Sequence, residues 1–149
     1  MENIKLLLVD DEHEFVTTLA ERLKMRKLDP NVALDGEAAL ELVAGEVPDV
    51  IVLDLKMPGI DGMEVLKQIK KKHPKTQVIM LTGHGSKKDE KTARQLGAFG
   101  YFNKPLGIDE LVVQIKKAYK AKVENSFMAA TFAEAGDFKT ADEILHKDD

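Results

Sequence analysis

Asp54 closes the apolar run Val50-Ile51-Val52-Leu53 and is followed at once by Leu55-Lys56-Met57-Pro58-Gly59. A second run, Ile4-Lys5-Leu6-Leu7-Leu8-Val9, ends in Asp10-Asp11. If these runs are parallel neighbouring strands, three carboxylates meet at one sheet edge. Like charges that close repel, so the arrangement calls for a cation, a shared proton or a dedicated function. Thr82 follows Val78-Ile79-Met80-Leu81, and Lys104 follows Tyr101-Phe102-Asn103, so both also stand at the ends of apolar runs. Hard divalent cations prefer carboxylate oxygens, and magnesium in particular keeps waters and phosphate oxygens in its shell. On this reading Asp11 and Asp54 are direct magnesium ligands, Asp10 holds a bound water, and the backbone carbonyl of Lys56 fills another position. With its charge offset, the Asp54 carboxylate can attack phosphorus and carry the phosphoryl group as a mixed anhydride. Such transfer is mostly positioning and stabilisation of charge on the equatorial oxygens, here assigned to the cation, the Lys104 ammonium and the Thr82 hydroxyl.

The elements that must position these residues are legible as an alternation. Strands are expected at 4–9, 30–34, 49–53, 77–82 and 99–102, three of them continuous apolar blocks of the kind covered on both faces. Between them, Phe15, Leu19, Leu23 and Met25 recur at helical spacing, as do Ala38, Ala39, Leu40, Leu42 and Val43, and then Met63, Val65, Leu66 and Ile69. A fourth helix around Ala93 and Leu96 is the least apolar, and Leu111, Val112, Ile115, Ala118 and Tyr119 mark a fifth. The run Lys70-Lys71-Lys72 at the end of the third helix reads as a solvated cap opposing the negative end of the helix dipole. Five strands alternating with five helices predict a doubly wound α/β fold with a parallel sheet. Ligands in such sheets bind outside the strand C-terminal ends, where Asp10, Asp11, Asp54, Thr82 and Lys104 all fall.

Taken in order, Val-Asp10-Asp11-Glu, Leu-Asp54-Leu-Lys-Met-Pro-Gly-Ile-Asp-Gly62, Leu-Thr82-Gly-His-Gly and Gly100-Tyr-Phe-Asn-Lys104-Pro resemble the receiver domain of two-component response regulators, over about residues 3–120. The resemblance implies a flavodoxin-like sheet of strand order 2-1-3-4-5. It implies that Asp54 takes its phosphoryl group from a phosphohistidine on a sensor histidine kinase or phosphotransfer protein, and that a downstream protein target reads the result. Thr82 and Tyr101 become a switch pair, Lys56 and His84 flank the path of the hydrolytic water and tune phosphoryl lifetime, and the Lys104–Pro105 bond is expected to be cis.

Composition narrows the field from the other side. The 149 residues suit one domain plus a short extension. There is no cysteine, which excludes disulfides, thiolate catalysis and Cys-based zinc sites. A net charge of −4 is a poor balance for direct nucleic-acid contact, and no apolar run approaches the ~20 residues that span a bilayer. The N-terminus enters a strand with no basic signal region, so a cytoplasmic location is expected.

Residues 121–149 carry three lysines against seven carboxylates, and so the whole net charge. Phe127, Met128, Thr131, Phe132 and Ala135 share one helical face, Gly136-Asp137 breaks the pattern, and Phe138, Ala141, Ile144 and Leu145 resume it. The expectation is an acidic helical hairpin appended to a 1–120 receiver. Its apolar face must pack on the receiver, on a partner, or on a second copy in a homodimer that could also use the last receiver helix. Two other functions compete with the phosphoacceptor switch. A scaffold independent of phosphate has no need of five aligned polar groups. A phosphohydrolase of the haloacid-dehalogenase type would want a second Asp two residues after Asp54, where Lys56 stands.

Overall fold

The computed structural model describes residues 3–134, of which 127–134 are described by their backbone alone. Five strands alternate with five helices: β1 (Leu6–Val9), α1 (His13–Met25), β2 (Asn31–Ala33), α2 (Gly36–Gly45), β3 (Val50–Leu53), α3 (Gly62–Lys72), β4 (Gln77–Thr82), α4 (Lys87–Gln95), β5 (Gly100–Asn103) and α5 (Ile108–Glu134). All strand pairs are parallel, in the order β2-β1-β3-β4-β5. This is the doubly wound order that the resemblance implies.

Side chains on a strand alternate between faces, and here both faces are apolar because both are covered. Leu7, Val9, Ile51, Leu53, Val78 and Met80 pack on one face with Ala39 and Val43 of α2, Val65, Leu66 and Ile69 of α3, and Ala93 of α4. Leu6, Leu8, Val50, Val52, Ile79 and Leu81 pack on the other with Val16, Ala20 and Leu23 of α1 and Leu111, Ile115 and Ala118 of α5. The continuous apolar runs therefore form two layers of core. In α4 only Ala93 is buried, and the helix gains a capping box instead, Ser86 accepting from the Asp89 N–H and Asp89 from the Ser86 N–H.

Three details depart from the sequence reading. β1 begins at Leu6 because the Lys5 N–H donates to the Asp49 carboxylate (2.8 Å) instead of to a neighbouring strand. Lys70 is not a solvated cap: it is buried, and its Nζ donates to the carbonyls of Pro74 (2.7 Å) and Thr76 (3.1 Å), tying the end of α3 to the turn before β4. Its neighbours Lys71 and Lys72 are exposed. Finally, α5 passes through residue 120 without interruption and continues to Glu134, with Lys122 paired to Asp49 at the base of β3. The expected turn at Gly136-Asp137 and the apolar positions 138–145 lie outside the described residues. Among the described residues, no helix is long and apolar enough to cross a membrane.

Candidate functional site

Parallel pairing brings four strand ends to one edge. The Asp54 N–H donates to the carbonyl of Val9 (2.9 Å), that of Asp10 to Ala33 (3.1 Å) and that of Lys104 to Thr82 (2.8 Å). Each link extends the sheet by one residue and fixes the origin of a side chain at the site. Beyond Asp54 the chain turns through Gly59, at φ 78°, and α3 begins at Gly62, whose N–H reaches the Leu55 carbonyl at 2.7 Å. A Cβ at residue 62 would lie 2.8 Å from the Leu55 Cα, so glycine lets the helix start press against the loop that carries Asp54.

Asp10 and Asp54 are buried, 5% and 6% exposed, and Thr82 is fully enclosed. Asp54 Oδ1 accepts the Leu55 N–H at 2.9 Å, and the Thr82 hydroxyl acts to lower the pKa of its carboxylate. Thr82 Oγ1 in turn accepts the His84 N–H at 3.3 Å. Asp10 Oδ1 accepts the Glu12 N–H (2.9 Å), an Asx-type turn that leads into α1. The Lys104 ammonium lies 2.7 Å from Asp10 Oδ2 and 3.0 Å from Glu12 Oε1, and 4.1 Å above the Phe15 ring. The Lys104–Pro105 bond is cis, as the resemblance implies.

Burial pushes the Asp54 carboxyl above the usual carboxylate range, and the charge of Asp10 pushes it further; Lys104 and the hydrogen bonds from Thr82 and Leu55 oppose the shift without cancelling it. Burial raises Asp10 as well, against its bond to Lys104. For Lys104 burial acts downward, but the hydrogen bonds to Asp10 and Glu12 outweigh it and hold the ammonium above its ordinary value. One ammonium is thus too little charge for the acids around it. One carboxylate oxygen from each of Asp10, Glu12 and Asp54 lies within 4.8 Å of the other two. Hard oxygen donors with uncompensated negative charge fit a divalent cation of the magnesium type.

The structure brings together Asp10, Asp54, Thr82 and Lys104 from the expected set. Asp11 is adjacent but exposed and lies outside the close carboxylate group; Lys56 and His84 are exposed at the rim. Tyr101 is 7% exposed, and its hydroxyl has no hydrogen-bond partner among the described residues. Sequence reasoning missed Glu12 and Phe15 as neighbours of Lys104. The signal for Glu12 was present, as the third acid of the Asp10-Asp11-Glu12 run, but a helix cap explains such an acid equally well.

The model of the family described as "Response regulator receiver domain" matches residues 6–116. Among solved structures, a Francisella response regulator receiver domain is 34% identical with a TM-score of 0.74, covering 79% of this chain and 98% of that one. A receiver domain protein from Clostridium thermocellum is 32% identical with a TM-score of 0.76, covering 80% and 96%. NtrX from Brucella abortus, 26% identical with a TM-score of 0.82, matches over 91% of this chain and 30% of its own length. A buried acidic edge on a 2-1-3-4-5 sheet and these matches define a signalling module of the receiver class. The chain belongs to the response regulator receiver domain family, the signalling module of two-component systems.

Proposed function

We propose that the chain is a phosphorylation switch in which Asp54 accepts a phosphoryl group in a magnesium-dependent reaction and the modified protein changes its protein contacts. The observation that supports this most directly is the buried Asp54 carboxylate facing Asp10, Thr82 and Lys104 at one sheet edge. A carboxylate oxygen of Asp54 attacks phosphorus. The P–N bond to a phosphohistidine breaks, its electron pair returns to the imidazole nitrogen, and the acyl phosphate remains on Asp54. Magnesium, when bound, neutralises charge on the attacking and phosphoryl oxygens; Asp10, Asp11, Asp54 and the Lys56 carbonyl are the groups proposed to hold it, with Glu12 beside them. Lys104 pairs with one phosphoryl oxygen and the Thr82 hydroxyl donates to another.

The proposed output is a coupled move of Thr82 and Tyr101. Lys56 and His84, both exposed at the rim, set how readily water reaches the acyl phosphate. The partners are a sensor histidine kinase or phosphotransfer protein and a downstream protein target, in the cytoplasm. The unit 1–120 acts as receiver and 121–149 as an acidic helical extension, and the candidate surface for a homodimer is either the last receiver helix or that extension. The rival, a phosphate-independent scaffold, has no use for a buried, under-neutralised acid pair.

Incubation with phosphoramidate, whose P–N bond imitates that of phosphohistidine, tests the reading by intact-protein mass. The switch predicts one phosphate adduct that requires magnesium. No adduct in wild type, with beryllofluoride also failing to bind, would favour the scaffold.

A further inference from the structure

The Lys104 ammonium is held by two carboxylates of different character. Asp10 is buried and belongs to the acid pair at the cation site. Glu12 has a side chain 57% exposed, and reaches Lys104 from 92 residues away in sequence. Glu12 stands at the N-cap of α1, yet its side chain makes no capping hydrogen bond. Its carboxylate is committed across the site instead. Among the described residues, no ion pair joins Lys104 to Asp54, and the Phe15 ring closes a further side of the ammonium.

We propose that Glu12 is a positioning residue that parks Lys104 away from Asp54 in the resting protein and must release it before the phosphoryl group can take that ammonium. The inference rests on the phosphoacceptor reading of Asp54. Lys104 offers three N–H donors, and in the resting protein Asp10 and Glu12 take two. A bound divalent cation would neutralise the acid pair and so weaken the hold of Asp10 on Lys104. Glu12 stands beside the buried pair with its side chain largely exposed. It is then the remaining competitor of the phosphoryl oxygen for Lys104. The exposure of Glu12 keeps the hold weak enough to be broken at each phosphorylation: an ion pair with one partner in solvent shifts an equilibrium by about fivefold.

The sign of one substitution separates this role from the plainer one. If Glu12 only added negative charge to attract the cation, Glu12→Gln would weaken binding of a phosphoryl mimic. If it competes for Lys104, the same change tightens it. Beryllofluoride affinity is measured by fluorine NMR at saturating magnesium for wild type, Glu12→Gln, Lys104→Met and the double variant. The expected result is tighter binding in Glu12→Gln, by about two- to fivefold, and no effect of Glu12→Gln once Lys104 is Met. Unchanged or weaker binding in Glu12→Gln, or an equal gain without Lys104, would overturn the inference while leaving the phosphoacceptor reading intact. A wild type that binds no beryllofluoride would overturn that reading, and this inference with it.

Discussion

The Tyr101 hydroxyl occupies the space that a side chain at Gly85 would fill. A Cβ built on Gly85 would fall on that hydroxyl, 2.7 Å from the ring carbon that bears it and 2.8 Å from the Thr82 methyl. The glycine of the β4–α4 loop is therefore what admits the Tyr101 ring to its buried position beside Thr82. Burial raises the Tyr101 phenol above its ordinary value, with the charges of Asp89 and Glu90 acting in the same direction.

Gly85→Ala is expected to expel the Tyr101 ring from this position and bring its phenol back toward the ordinary tyrosine range. Ultraviolet titration of the phenols in wild type and Gly85→Ala reads the change. Tyr101→Phe has a separate expected effect. It removes a buried hydroxyl without a partner among the described residues, and so stabilises the fold by about 1 kcal/mol in thermal or urea unfolding.

Asp54→Asn is expected to stabilise the metal-free protein by about 0.5–2 kcal/mol, because a buried charge facing Asp10 is lost while the acceptor for the Leu55 N–H remains. The pH dependence has a definite sign. An acid raised by folding holds its proton more tightly in the folded than in the unfolded chain, so its cost to stability is complete above the folded value and is relieved as pH falls through it. The advantage of Asp54→Asn should therefore be largest near neutrality and shrink toward pH 3.8, the ordinary carboxylate value. Lys104 acts at the other end. Its raised value contributes stability that is complete below 10.5 and lost as pH rises through the folded value. Urea unfolding across pH checks both limbs.

Lys70→Ala is expected to cost about 1–3 kcal/mol, since it removes the donor to the Pro74 and Thr76 carbonyls in a buried setting. Lys71→Ala, one residue on and exposed, should stay within about 0.5 kcal/mol of wild type. Paired unfolding curves decide it.

The contrast within that lysine run shows what the sequence could and could not carry. Apolar runs ending in Asp10, Asp54 and Thr82 identified both strands and site, because a polar group at the end of a buried parallel strand has one place to go. Charge and spacing made Lys70, Lys71 and Lys72 look alike; only the helix rotation that turns Lys70 onto the Pro74–Thr76 turn tells them apart. Lys104 was assigned to the site from its strand end. Its partners Glu12 and Phe15 could not be, since they depend on how α1 leaves β1 and on which way a long side chain lies across it. The match between Gly85 and Tyr101 was hidden for the same reason: two residues far apart in the chain share one volume.

The most direct measurement of the central claim is the position of the acyl phosphate. Protein treated with a phosphoryl donor and magnesium is reduced with borohydride, which converts an aspartyl phosphate to homoserine, and the product is sequenced by tandem mass spectrometry. Homoserine at position 54, absent without magnesium, is the predicted result. Homoserine at Asp10 or Asp11, or none in protein that carries a phosphate adduct, would contradict it.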